Sequence, residues 1–190
     1  MSAPLEAPAT ALFIGGVRSG KSDLAQKWLE ERCDAPVYVA CGIPRDSEMR
    51  ERAERHRRRR GEKWQTLESP LLESVELSPA LGSGKGALVD CLSAWLANAL
   101  ERGLGGGEIL RRFDEAFNIV ASAGVAAAYV TAECGLGFAP LNSLARKYGD
   151  LLGELNQLAA RRCGSVYFVS CGIAMPLKEG GAALGITLGG

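Results

Sequence analysis

Eight residues, Gly15-Gly16-Val17-Arg18-Ser19-Gly20-Lys21-Ser22, restrict what this chain can fold into more than any other feature. They follow G-x-x-x-x-G-K-[ST], and they lie between an apolar run, Ala11–Gly15, and a helical pattern that opens at Lys21. The glycines let the backbone wrap closely and turn several N–H groups toward one point. The helix behind them adds the positive end of its dipole. Such a loop cradles phosphates, with Lys21 bridging the β- and γ-phosphates of a nucleotide and Ser22 ligating Mg2+ through its hydroxyl. A second Gly-Lys, in Gly82 to Gly86, has no following Ser or Thr and reads as an ordinary loop.

The rest of the chain predicts the sheet around that loop. Short apolar runs rich in β-branched and aromatic residues recur at Val37–Cys41, Ala87–Cys91, Ala126–Thr131 and Ser165–Ser170. Their hydrophobicity is continuous rather than alternating, which suits strands buried on both faces. Helical patterns separate them at Lys21–Cys33, Ser47–Arg59, Leu92–Arg102, Glu108–Ser122 and Lys147–Arg162. Strands alternating with helices predict an α/β fold with a mostly parallel sheet flanked by helices. At 190 residues the chain suits one domain, read as residues 11–178. Residues 1–10 are expected to be a flexible tail and residues 179–190 a frayed Gly-rich one. No run reaches the ~18 apolar residues of a membrane span, and the start lacks the basic region of a signal peptide. A cytoplasmic protein is expected.

A phosphate loop of this kind needs a carboxylate at a strand end to hold its metal. Asp90, ending Ala87-Leu88-Val89-Asp90, has that position, although it also stands where it would cap the helix near Leu92. Glu133 follows the next strand on the same sheet edge, placed for metal binding, for deprotonating an acceptor hydroxyl, or for solvent. The six cysteines form no C-x-x-C pair and have no histidine at ligand spacing, so they read as small thiols near strand ends rather than as a zinc site. A soft-metal or redox role is the alternative.

Lys plus Arg equals Asp plus Glu at 22 each, which excludes a generally basic nucleic-acid coat. That balance hides a segment, residues 45–63, with nine basic and five acidic residues. Inside it lies Arg55-His56-Arg57-Arg58-Arg59-Arg60, which holds the only histidine of the chain. Met49, Ala53, His56 and Arg60 form one helical stripe, the side expected to dock. Neighbouring positive charge disfavours imidazolium and leaves a neutral, nucleophilic ring. The arginines meanwhile suit a triphosphate. These residue types fit nucleotidyl transfer through a phosphoramidate, with a solvated helix face as the alternative.

Taken together, the motifs resemble the bifunctional adenosylcobinamide kinase/adenosylcobinamide-phosphate guanylyltransferase family, from about Ala11 to Lys178. The resemblance is carried by Gly15 to Ser22 and Val37-Tyr38-Val39-Ala40-Cys41-Gly42. It continues through Asp46-x-Glu48-Met49 into His56, Arg60, Gly61, Trp64, Thr66 and Glu68. Asp90-Cys91-Leu92 with Trp95-Leu96-x-Asn98, and Val130-Thr131-x-Glu133-x-Gly135-x-Gly137-x-x-Pro140 with Ala145-Arg146 and Asn156, complete it. It implies a P-loop protein with a RecA-like sheet, acting as a homo-oligomer, with trimers known. It implies phosphorylation of adenosylcobinamide by ATP or GTP, then transfer of GMP from GTP to that phosphate through a guanylylated histidine, here His56. By resemblance, GTP contacts fall on Gly15–Ser22, Ala40, Cys41, Gly42, Arg57, Arg58, Arg59, Arg60, Glu68 and Asp90. The departures are Ala132, Cys134, Phe138-Ala139, and arginine at all of positions 57–60. Two other readings are a single-function small-metabolite kinase with a structural His56, and a nucleotide-gated RNA-binding module. Zero net charge and the lack of aromatic residues in the arginine run count against RNA.

Overall fold

The computed structural model describes residues 9–82, 85–138 and 140–184. The chain runs β1 (Thr10–Gly15), α1 (Lys21–Glu30), β2 (Val37–Ala40), α2 (Ser47–Arg60), β3 (Gln65–Glu68), α3 (Ser74–Ala80), β4 (Ala87–Asp90) and α4 (Leu92–Glu101). It continues through α5 (Gly106–Ser122), β5 (Ala127–Ala132), α6 (Ser143–Arg162), β6 (Ser165–Ser170), β7 (Ile173–Glu179) and β8 (Ala182–Ala183). The strands form one sheet in the order β3-β2-β4-β5-β1-β6-β7-β8. The first six in that order are parallel, and β7 and β8 are antiparallel. The α/β class and the mostly parallel sheet are as the sequence predicts.

Both faces of the parallel part are covered, which explains the unbroken apolar runs. On one face Leu12, Val39, Val89 and Tyr129 pack with Trp95 of α4, Phe113 of α5 and Leu155 of α6. On the other, Phe13, Leu88, Val130 and Val169 pack with Ala25 and Leu29 of α1. The strand β1, with β5 and β6 on its two sides, therefore carries the phosphate loop out of the centre of the sheet.

Four elements escape the sequence pattern, each for a local reason. β3 is Gln-Thr-Leu-Glu at the sheet edge, with Leu67 its only apolar residue, so it owes its form to pairing with β2. α3 holds Pro79, which argues against a helix locally. β7 and β8 correct the expected tail beginning at residue 179. Glu179 ends β7, and β8 pairs back onto Lys178 and Glu179. Lys178 ties the hairpin down by donating from Nζ to the carbonyls of Ala160, Arg161 and Cys163, at the open C-terminal end of α6. The expected tails at residues 1–8 and 185–190 lie outside the described residues. α6 also starts four residues before the expected Lys147, because the Asn142 side chain accepts the Leu144 N–H and caps it.

Candidate nucleotide-binding cleft

The loop from Gly15 to Ser22 is held by close backbone packing. A Cβ on Gly15 would lie 2.2 Å from the Val169 carbonyl oxygen of β6, so only glycine fits between the strands. Gly20 has φ +93°, a left-handed conformation natural to glycine, and the Gly172 N–H donates to the Ser19 carbonyl at 2.8 Å. The β6–β7 turn thus backs the loop. α1 leaves Gly20 with no side-chain cap, so its first-turn N–H groups have no competing acceptor there. Lys21 Nζ donates to the Gly16 carbonyl at 3.0 Å. The Ser19 hydroxyl is buried and has no hydrogen-bond partner among the described residues.

Facing this loop is α2. A polar cleft of about 340 Å³ is lined by Arg18 to Asp23 on one side and by Arg55, His56 and Arg59 on the other. The structure therefore brings the predicted histidine and the predicted phosphate loop together within one subunit. Arg55 and Asp23 were not singled out as site residues from the sequence. Arg55 was detectable, since it shares a helix face with Arg59 four residues on.

The arginine run does not act as one surface. Arg57, Arg58 and Arg60 line a second pocket of about 360 Å³ with Trp64 and Thr66. The ~100° turn per residue carries Arg57 and Arg58 away from the cleft, whereas Arg60, one turn beyond His56, borders the second pocket at the end of the helix. The expected docking stripe docks only at its C-terminal end. Met49 is 42% exposed and Ala53 is exposed, whereas His56 is half-buried and Arg60 is 7% exposed. At the other end the helix is capped, with the Asp46 side chain accepting the Met49 N–H at 2.8 Å.

The remaining candidates lie along the C-terminal edge of the parallel strands. Glu68, Ala40 and Asp90 occupy adjoining positions in the ladder of β3, β2 and β4. Asp90 does not cap α4, whose N-cap is Cys91 with no side-chain cap bond. Its Oδ2 instead accepts from the Tyr38 hydroxyl at 3.2 Å. The Glu133 N–H donates to the Gly15 carbonyl at 3.1 Å, which places the backbone of that half-buried residue beside the phosphate loop. Its side chain accepts from the Gly135 N–H. Burial raises the Cys91 and Cys134 thiols, and the charge of Lys21 opposes this in both, so these strand ends lie within reach of its field. Asn98, buried on α4, donates to the carbonyls of Cys41 at 2.7 Å and Pro70 at 3.1 Å, and so fixes the exits of β2 and β3.

No disulfide joins the six cysteines, and burial pushes Cys41 well up and Cys163 to about 12, which keeps both as neutral thiols. Among the described residues, no three His, Cys, Asp or Glu side chains are grouped to hold a metal ion, and no helix is long and apolar enough to cross a membrane.

A central parallel strand, a glycine-constrained phosphate loop and a basic helix across one cleft define a P-loop nucleotide-binding α/β protein. A solved protein from Pyrococcus horikoshii OT3 shares this fold, with a TM-score of 0.53 and 11% identity, covering 90% of this chain and 86% of its own. The family model "Cobinamide kinase / cobinamide phosphate guanyltransferase" matches residues 11–177, and the chain belongs to that family. It is 39% identical over 172 residues to the bifunctional adenosylcobalamin biosynthesis protein CobP of Pseudomonas aeruginosa, covering 88% of this chain and 96% of that one. It is 30% identical over 182 residues to the CobU protein of Salmonella typhimurium, covering 88% and 98%. The family pairs two activities, a cobinamide kinase and a cobinamide phosphate guanylyltransferase.

Proposed function

We propose that both reactions of this enzyme of cobalamin biosynthesis draw on the cleft between the phosphate loop and α2, with His56 as the guanylyl acceptor. The observation that carries this is the shared lining of that cleft by Lys21, Ser22 and His56, with Arg55 and Arg59 beside the histidine. In the transferase reaction an imidazole nitrogen of His56 attacks the α-phosphorus of GTP. A P–N bond forms, the bridging P–O bond breaks, and pyrophosphate leaves. An oxygen of the adenosylcobinamide phosphate then attacks the same phosphorus and displaces the histidine, giving adenosyl-GDP-cobinamide. Arg55 and Arg59 offset the charge that gathers on the attacked group.

In the kinase reaction the loop from Gly15 to Ser22 holds ATP or GTP, and Glu133 takes the proton of the acceptor hydroxyl. Ala40, Cys41, Gly42, Glu68, Arg57, Arg58 and Arg60 contribute the outer nucleotide contacts. The Ser22 hydroxyl and Asp90 carboxylate are hard oxygen donors suited to Mg2+, which when bound neutralises phosphate charge. The enzyme works in the cytoplasm, where its nucleotides are, and as a homo-oligomer, a trimer by resemblance. Exposed Ile173, Met175, Leu177 and Leu184 on the terminal hairpin favour such an assembly, which sedimentation would test.

Separate incubations with GTP labelled at the α- or the γ-phosphate test the reading. Acid-labile, alkali-stable α-label on the protein, lost in His56→Ala, is expected. Transfer of γ-phosphate to the corrinoid with no α-label on the protein would reduce the site to a kinase.

A further inference from the structure

Arg60 differs from the arginines before it. Arg57, Arg58 and Arg59 are exposed, whereas Arg60 is buried at 7% exposure and its Nε has no hydrogen-bond partner among the described residues. Its guanidinium carbon stands 3.5 Å from the centroid of the Tyr38 ring. Tyr38, on β2, is itself anchored, donating its hydroxyl to Asp90 on β4 at 3.2 Å. Among the described residues Arg60 forms no ion pair within 4 Å, and the face of the Tyr38 ring gives the buried guanidinium another source of stabilisation. Burial lowers the pKa of Arg60, and Tyr38 and Asp90 oppose that, consistent with the three forming one cluster.

Among the described side chains of α2, Arg60 is the only buried one. It follows His56 by four residues, so both project from the same face of the helix. The helix is therefore registered to the sheet at its C-terminal end through Arg60, and the height and rotation of His56 over the phosphate loop depend on that contact. Tyr38 does not line the cleft that contains His56.

We infer that Tyr38 is a positioning residue for guanylyl transfer: its ring seats Arg60, its hydroxyl holds the ring in place through Asp90, and together they set His56 over the phosphate loop. The inference rests on His56 being the guanylyl acceptor.

The full-length variants Tyr38→Phe and Tyr38→Leu separate the ring from the hydroxyl. Three measurements are made on each: protein labelling by α-labelled GTP at saturation, γ-phosphate transfer from ATP to cobinamide, and trypsin cleavage within Arg57–Arg60 without nucleotide. Displacing a reacting group by about 1 Å costs about 10²-fold in rate, so Tyr38→Leu should label at least about tenfold more slowly. Its kinase rate should fall less than its labelling does, because the phosphate loop is untouched and Asp90 loses only the one hydrogen bond from Tyr38. Trypsin should cleave it faster at Arg57–Arg60. Tyr38→Phe, which keeps the ring, should restore labelling and protection to within about threefold of wild type. Unchanged labelling in Tyr38→Leu would overturn the inference. So would equal losses in both reactions with no rescue by phenylalanine, which would mark a merely structural residue. If wild type itself takes no label on His56, the guanylyl reading fails. The trypsin comparison then decides the seat alone, with faster cleavage of Tyr38→Leu supporting it and equal cleavage overturning it.

Discussion

The two walls of the cleft are built in opposite ways. The phosphate loop leaves the middle of the sheet, with apolar layers on both faces of its strand and a carbonyl 2.2 Å from where a Gly15 side chain would begin. The histidine helix opposite buries no apolar side chain among those described. It is held at its ends, by the Asp46 cap and the exposed Arg45–Glu101 ion pair before it, and by Arg60 over Tyr38 behind it. Burial makes the first wall part of the global fold. The second belongs to the low-stability end of the structure, where local opening costs little. A phosphate cradle works by preorganisation, whereas on the proposed mechanism His56 takes a group and hands it to a bulky acceptor, a task suited to a lightly held element.

That contrast can be broken by mutation. The largest effect should come from His56→Ala, which should cut guanylyl transfer by about 10⁴-fold or more. It should leave the kinase reaction and the folding stability nearly unchanged, and a matched loss of stability would contradict the picture of a lightly held wall. Lys21→Ala should lower both reactions about 10²–10³-fold, since both need the phosphates held. If only one reaction falls, the two do not share the loop. Gly15→Ala should fail as a fold rather than as a catalyst, losing about 3 kcal/mol in chemical denaturation because its Cβ meets backbone that cannot give way. Asn98→Ala should cost about 2 kcal/mol by stranding the carbonyls of Cys41 and Pro70. Weakened GTP binding should accompany it, read by titration.

The smallest expected effect concerns acid. Burial raises the pKa of Glu30, but hydrogen bonds from Trp64 and Gln26 and the charge of Lys63 outweigh it and hold the carboxyl below its ordinary 4.5. A lowered folded-state pKa stabilises above the unfolded value, and that contribution is lost as pH falls through the folded one. Glu30→Gln should therefore flatten the melting temperature below about pH 4.5, with little change in its slope near neutrality. A wild-type acid slope in the variant would remove Trp64–Glu30 from the contacts that hold α1 to the segment after α2.

Much of this was legible because the signals are local. The phosphate loop declares itself through glycine spacing, and five strands through apolar runs that burial on two faces demands. The Lys178 clamp was not legible, because the carbonyls it satisfies lie 15 to 18 residues back, and only the antiparallel return of β7 brings them together. Nor was β3, whose polar residues become a strand only by pairing with β2. The arginine run looked uniform because composition carries no facing. Arg55 and Arg59 face the phosphate loop across one cleft, while Arg57, Arg58 and Arg60 line another pocket.

By itself, then, the sequence determined the class of fold, the glycine-constrained loop between β1 and α1 and the helix that carries the lone histidine. Each of these rests on backbone permissiveness or periodicity within some twenty residues. Only the tertiary structure decided which side of that helix faces the Gly15–Ser22 loop, that Asp90 bonds Tyr38 rather than caps α4, and that Arg60 is buried. Those outcomes depend on strand order and on competition between distant partners for the same atoms, which neighbouring residues do not encode.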